Sequence, residues 1–339
     1  MGLHMGVDLS TKYLGLSLRN PLLAAASPLT ASVESMQQLE SAGIACVVLP
    51  SLFAEQIEHE EAQVNKLYEN QTESFAEALD YFPDMAYHPS GTEEYLRLVE
   101  RAKQALEIPV IASLNGSSKG TWTRHAQALQ DAGADAIELN IYFVPTDAQQ
   151  PSSEVEQRYI DLVASVRHCT TLPLSVKVGP FFSSLPHTAQ ELVKAGAQGL
   201  VLFNRYLDPD VDIEELAINP NLVLSDRHEL RLPLRWIATI RDQTDASLAA
   251  STGVHFSEDV IKSLLAGADA VMMAAALIRY GPSWLKTMLA EISHWLTSKE
   301  YESVQQIKGS MSVQNCSDPK AYHRANYMRA LTSYSTNLY

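Results

Sequence analysis

Cysteine is scarce and badly placed for cross-linking: Cys46, Cys169 and Cys316 are odd in number, far apart and outside any CxxC. Neither a disulfide framework nor a zinc or iron–sulfur site is encoded, and a reducing compartment fits. Positive charge is also in deficit, with 25 Lys+Arg against 40 Asp+Glu and a formal net charge of −15. That balance argues against nucleic acid and anionic membrane surfaces as main partners and favours solubility. No run reaches the ~18 apolar residues of a membrane span. The N-terminus lacks a basic stretch followed by an apolar one, and Met5 close behind Met1 offers a second start. The expectation is a cytoplasmic protein without membrane attachment. What is present is a globular composition, 46% hydrophobic and 19% charged over 339 residues, enough for a large core.

The architecture shows in a recurring phrase: "LESAGIACVVL" (39–49), "LQDAGADAIEL" (129–139), "LVKAGAQGLVL" (192–202) and "LLAGADAVMM" (264–273). Each joins a helix-period segment to a short apolar run through Ala-Gly, and glycine just past a helix end is the preferred stop. Two further strands follow a proline, "IPVIASL" (108–114) and "LPLSVKV" (172–178), while "NPLLAAAS" (20–27) and "SLAAST" (247–252) complete the set of eight. Near-continuous apolar strands alternating with helices predict a parallel sheet covered on both faces. Eight such units in about 250 residues predict an α/β fold of the TIM (β/α)8 barrel type. A doubly wound open sheet is the alternative, but no GxGxxG opens the first unit.

Three segments fall outside the repeats. Residues 7–21 read as a hairpin plugging the N-terminal end of the barrel; 53–95 and 205–233 are long insertions after strands two and six, the latter with room for a second hairpin. Both insertions follow strand C-termini, where barrel enzymes build their sites, and so read as walls or lids. The predicted organisation is one barrel over 1–310 including the hairpin, with a tail over 311–339 packed on it.

A lysine interrupts the apolar run "LPLSVKVGPFF". Period two puts Ser175, Lys177 and Gly179 on one face and Leu174, Val176 and Val178 on the other, which sends Lys177 into the barrel. Glu138 and Asn140 share the corresponding face of "AIELNI". One reading is a buried Glu138–Lys177 ion pair that fills the barrel. The other is a ligand site, because Asn140, Lys177 and Asn204, which ends "GLVLFN", converge on one rim. Thr252-Gly253 at the end of strand seven and Ala274, Ala275 and Ala276 after strand eight stand where barrels commonly hold phosphate, and small side chains permit the close approach.

The order "NPLLAAASP", "PVIAS", "IELN", "LPLSVKVGPFF", "LVLFN", "STGV" and "GADAVMMAAALIRYGP" resembles the dihydroorotate dehydrogenases and the related dihydropyrimidine dehydrogenase barrel over roughly residues 7 to 310. The resemblance implies FMN at the C-terminal mouth. It matches Ala26 and Ser27 to residues lying against the flavin, and Asn140 and Asn204 to asparagines that hold flavin and pyrimidine substrate. Lys177 matches the lysine beside flavin N1 and the C2 carbonyl. Thr252-Gly253 and Ala274-Ala275 match the phosphate-binding pairs, and Arg205 follows the second asparagine where the family has Ser or Thr. Reduced flavin carries negative charge at N1 and its C2 carbonyl, so an ammonium there has its anion.

The departures concern the chemistry. The family's catalytic Cys or Ser position holds Phe143 in "NIYFVPT", and phenylalanine cannot take a proton. The lysine after strand two is replaced by Pro50, and the pyrimidine-covering loop by "AYHPSG" (86–91). Tyr142, His88 and Tyr206 are the candidate replacements for the base. Three function classes follow: an FMN oxidoreductase of the dihydroorotate type, in the setting of pyrimidine biosynthesis, acting on that or another small conjugated substrate; a Schiff-base aldolase or lyase with Lys177 as nucleophile; and a non-catalytic flavoprotein subunit. The expected partners are a small, pyrimidine-like molecule, with a second copy of the chain or an electron-transfer protein also open, and no metal is expected.

Overall fold

The computed structural model describes residues 6–53, 91–115, 119–142, 144–205, 209–219 and 222–322, with 327–328 and 331–332 in the tail. His88, Phe143 and Tyr206, with most of the insertion after strand two, lie outside the described residues.

Eight parallel strands close into a barrel in the order β3 (Leu22–Ala24), β4 (Cys46–Phe53), β5 (Val110–Asn115), β6 (Ala136–Asn140), β7 (Leu174–Val178), β8 (Gly199–Leu202), β11 (Ser247–Ala250) and β12 (Ala270–Met273). The last strand pairs with the first, Val271 opposite Leu22. Flanking helices α1 (Val33–Ala42), α2 (Thr92–Ala105), α3 (Lys119–Asp131), α4 (Ser152–Arg167), α5 (Leu185–Lys194), α6 (Arg231–Ile240) and α7 (Ser257–Ala266) follow successive strands, and α8 (Ala275–Tyr280), α9 (Trp284–Ser298) and α10 (Val304–Ile307) close the ring. The four Ala-Gly joints turn as their composition requires: Gly43, Gly133, Gly196 and Gly267 have φ of 114°, 90°, 117° and 120°, a conformation that costs other residues a Cβ clash. No described helix is long and apolar enough to cross a membrane.

Two apolar clusters divide the strands by parity. Leu22, Val47, Val110, Ile137, Leu139, Val176, Leu200, Leu248 and Val271 pack outward against the helices. Leu23, Cys46, Val48, Ile111, Ala136, Val201, Ala249, Ala270 and Met272 fill the interior. The interior cluster also takes Tyr13, Leu14 and Leu18 from the hairpin of β1 (Thr11–Tyr13) and β2 (Leu16–Leu18), which stops the N-terminal end. Leu14 N–H donates to Ser247 Oγ at 3.0 Å and Thr11 Oγ1 donates to the Asp269 carbonyl at 2.9 Å. A side chain at Gly199 would not fit beneath this plug, because its Cβ would lie 2.5 Å from Leu14 Cδ2.

At the same end, the buried Asp269 carboxylate accepts from Arg241 and Lys308 at 2.8 Å each and from Leu248 N–H at 2.8 Å. Arg241 also donates to the carbonyls of Thr244, Ala246 and Gly267. One guanidinium thereby fixes both joints that feed β11 and β12. The first residues of the tail lie along the same helices, with Met311 N–H bonded to the Leu265 carbonyl and Val313 N–H to that of Ala238.

Strand β4 runs further than periodicity suggests. It passes through Pro50, and its register with β5 shifts between Val48 and Ser51. A bulge is where a strand can accept proline, whose missing N–H removes a ladder bond. The insertion after β8 contains a lone antiparallel pair, β9 (Asp210–Asp212) and β10 (Ala217–Asn219).

Candidate active site

The strand registers stack polar residues in two layers across the barrel. Ser113, Glu138, Ser175 and Gly199 stand opposite one another in the lower layer, and Asn115, Asn140, Lys177 and Val201 in the upper one. Lys177 is 8% exposed and Glu138 fully buried, with Lys177 Nζ 3.7 Å from Glu138 Oε1. That is contact range for an ion pair but too long for a hydrogen bond. Both Glu138 oxygens lack a hydrogen-bond partner. Burial pushes the Tyr13 hydroxyl well above its ordinary pKa, with the Glu138 charge adding to it, and burial likewise pushes up the Cys46 thiol. Both groups are therefore neutral neighbours of the pair.

Above the upper layer opens a cavity of about 250 Å³ at the C-terminal mouth. Ala26 and Ser27 after β3, Lys177 on β7, Asn204 and Arg205 after β8, Thr252 and Gly253 after β11, and Ala274 and Ala275 at the start of α8 all line it. Asn140 joins from the side: Asn204 Nδ2 donates to Asn140 Oδ1 at 2.7 Å, and Asn204 N–H donates to the Val178 carbonyl at 2.8 Å. The backbone bond aims the asparagine across the barrel from the end of β8.

Thr252 and Gly253 turn sharply with φ of 77° and 78°, and Thr252 Oγ1 donates to the Phe203 carbonyl at 3.2 Å. A left-handed β-branched residue is costly and is held only where its surroundings over-determine it. Gly253 has no alternative, since a Cβ would meet Leu230 N at 2.5 Å and Asp226 O at 2.8 Å. Arg205 is spent on structure as well as on the cavity: its guanidinium donates to Glu229 at 2.9 Å and to the Val223 carbonyl, fastening the insertion to the rim. Tyr142, half-buried just beyond β6, does not line the cavity.

The insertion after β8, read from the sequence as a wall or lid, supplies lining residues that the sequence reading did not name. Leu222, Val223, Leu224 and Ser225, from the insertion after β8, close the cavity with Ser251, Met272 and Ile278. The apolar run at 222–224 inside a largely polar insertion was the available signal. A wider cleft of about 650 Å³ adjoins, sharing Asn204, Arg205 and Thr252 and bordered by Phe181, His228, Arg231 and Arg235.

The family model described as Dihydroorotate dehydrogenase matches residues 8–296, the whole barrel with its hairpin. The chain belongs to the dihydroorotate dehydrogenase family. It is 29% identical to a putative dihydroorotate dehydrogenase A (fumarate) of Aeropyrum pernix over 65% of this chain and 72% of that one. It is 24% identical to the catalytic subunit of dihydroorotate dehydrogenase B (NAD(+)) of Thermoplasma acidophilum over 89% of this chain and 98% of the relative. It is also 24% identical to the NAD-dependent dihydropyrimidine dehydrogenase subunit PreA of Escherichia coli, over 89% of this chain and 76% of that one. These family members are oxidoreductases.

Among the described residues that line the cavity there is no carboxylate other than through Lys177, no imidazole and no thiol. The hydroxyls of Ser27, Ser225, Ser251 and Thr252 are the proton-bearing groups present besides Lys177, Asn204 and Arg205.

Proposed function

We propose that this family member is an FMN-dependent oxidoreductase acting on a small, planar, amide-containing substrate, and that dihydroorotate is a poor substrate or none. The observation that carries the reading is the convergence on one cavity of Ala26, Ser27, Lys177, Asn204, Thr252, Gly253, Ala274 and Ala275. These residues suit the cofactor: Lys177 presents an ammonium whose nearest carboxylate stands beyond hydrogen-bond distance, so its N–H donors are unspent. Bound FMN would supply a ring that accepts and returns a hydride.

This chain's residues do the rest. Lys177, on the cavity floor, would hold a positive charge toward the ring and so favour the negative charge that reduction adds. Asn204 spends one amide hydrogen on Asn140, and no other side-chain bond is formed by either amide among the described residues. Asn140 Nδ2 and Asn204 Oδ1 then offer a donor beside an acceptor, the complement of a lactam or imide edge. Thr252-Gly253 and Ala274-Ala275 leave backbone accessible to a phosphate without side-chain obstruction.

Among the described residues that line the cavity a positioned base is missing. Oxidising a carbon–hydrogen bond beside a carbonyl needs one, and general-base catalysis typically contributes about 10²–10⁴-fold. Phe143 cannot supply it. The relatives named as a catalytic subunit and a dehydrogenase subunit support an assembly in which electrons leave through a partner chain.

The test has two stages. Protein purified without added cofactor is heated and the released flavin identified by chromatography; finding none, with none bound on reconstitution, sinks the reading. The yellow protein is then mixed anaerobically with dihydroorotate, alongside Phe143→Cys and Phe143→Ser. Slow or absent bleaching with faster bleaching in Phe143→Cys is expected, whereas rapid bleaching by the unaltered protein would show a relocated base, with Tyr142, His88 and Tyr206 the residues to substitute next.

A further inference from the structure

A carboxylate with both oxygens unpartnered is an expensive thing to keep in a barrel core. Glu138 is fully exposed to that cost: it is 0% solvent-accessible, neither oxygen is hydrogen-bonded, and Lys177 Nζ at 3.7 Å is its ion-pair partner. The other polar groups around it do not discharge it. Ser175 Oγ, directly opposite in register, is turned to the Ile137 carbonyl at 3.4 Å, and the Tyr13 hydroxyl, close to Ser175, makes no hydrogen bond to Glu138. Ser113, on the other side, is engaged with Ser51 Oγ at 2.8 Å and with the Tyr95 hydroxyl. Burial keeps the Tyr13 and Tyr95 hydroxyls and the Cys46 thiol in their neutral forms, so none of them supplies a compensating charge.

Glu138 also has no direct access to the cavity. It sits one layer below Asn140 and Lys177, and the side chain that separates it from the cavity is Lys177 itself. A carboxylate there acts through the ammonium or not at all.

We propose that Glu138 is a positioning residue: its buried carboxylate anchors the Lys177 ammonium at the cavity floor and partly offsets its charge, setting how strongly the site favours the reduced, anionic form of the ligand over the oxidised one. This rests on the reading that the cavity holds FMN. A purely structural ion pair and a potential-setting one make different predictions for an isosteric neutral replacement. If Glu138 only fills the core, the replacement alters stability and leaves the cofactor's redox balance unchanged. If it offsets Lys177, the unopposed ammonium holds reduced flavin more tightly relative to oxidised flavin.

The experiment measures the two-electron reduction potential of bound FMN, by dye equilibration, and the dissociation constant of oxidised FMN in the unaltered protein and in Glu138→Gln. Glu138→Met, apolar and of similar length, serves the same purpose should the amide fail to fold, and Glu138→Asp keeps the charge. The expected result is at least a tenfold rise in the preference for reduced over oxidised flavin in the neutral variants, which is about 30 mV upward for a two-electron couple. Glu138→Asp should stay much closer to the unaltered protein. An unmoved potential in Glu138→Gln or Glu138→Met, or an equal shift in Glu138→Asp, overturns the proposal, the second because it traces the effect to packing and not to charge. Absence of bound FMN in the unaltered protein would instead refute the cofactor reading on which the proposal stands.

Discussion

Replacing Lys177 by methionine keeps the length of the side chain and removes its charge, leaving Glu138 alone in the barrel. At the observed 3.7 Å and an effective dielectric of about 20, Coulomb's law gives a lost attraction of about 4–5 kcal/mol. Removing one partner of a buried pair typically costs about 3–5 kcal/mol, since the remaining ion keeps its desolvation penalty. The unfolding entropy of a chain this size, about 0.7 kcal/mol per kelvin at about 2.1 cal/mol/K per residue, turns that into a fall in Tm of about 4–7 °C. The double variant Lys177→Met with Glu138→Met should recover most of the loss, because two apolar side chains replace both desolvated charges. Flavin-free protein is the right sample, so that ligand binding does not enter. Scanning calorimetry of the unaltered chain, both single variants and the double variant closes the cycle. A Lys177→Met protein that melts within about 1 °C of the unaltered chain would refute the reasoning, as it would mean that the carboxylate had not been relying on the ammonium.

Gly253→Ala should cost about 1–2 kcal/mol from its left-handed backbone alone, and more from the approach of the new Cβ to Leu230 N at 2.5 Å; FMN retention on gel filtration should drop, and full retention would show that the turn does not contact the ligand. Asp269→Ala strands Arg241 and Lys308 at the N-terminal end of the barrel and should lower stability by about 3–5 kcal/mol, measured by denaturant unfolding, with flavin affinity unchanged in the folded fraction because the network lies at the opposite end from the cavity. Thiol labelling followed by mass spectrometry should modify half-buried Cys169 first and Cys46 only after unfolding, since Cys46 is buried and its thiol pushed up; native-state labelling of Cys46 at the Cys169 rate would contradict the closed interior.

The inward direction of Lys177 and Glu138 was legible in the sequence because a strand's two faces are set by local period, and outward-packed Val176 and Leu139 leave the charged residues nowhere else to go. The Ala-Gly joints were legible for a similarly local reason, the left-handed turn at each helix end. What was not legible is what those joints rest on. A Cβ at Gly196 would strike Arg167 and one at Gly267 would strike Arg241, so each glycine also makes room for an arginine that donates to the carbonyls of the following loop. That constraint couples residues about thirty positions apart, and no periodicity carries it. The shift in register that lets β4 carry Pro50 was not legible for a complementary reason, since it is settled by the partner strand.

The same division runs through the site. Its floor comes from barrel strands, where neighbouring registers place Asn140 beside Lys177 whatever the loops do. Its wall of Leu222, Val223 and Leu224 comes from an insertion held by Arg205 on Glu229 and the Val223 carbonyl. Arg205 therefore stands at the junction of the two, a residue that fastens the wall while lining the cavity. The family model spans both floor and wall, residues 8–296. The family resemblance, read on the sequence alone, puts Phe143 at the position of a catalytic base. On the proposed reading Lys177 with Asn140 and Asn204 would hold an amide-edged ligand, and the described lining adds no carboxylate, imidazole or thiol to take its proton. Substrates whose oxidation or reduction needs no enzyme-held base at that position are consequently the ones to screen first.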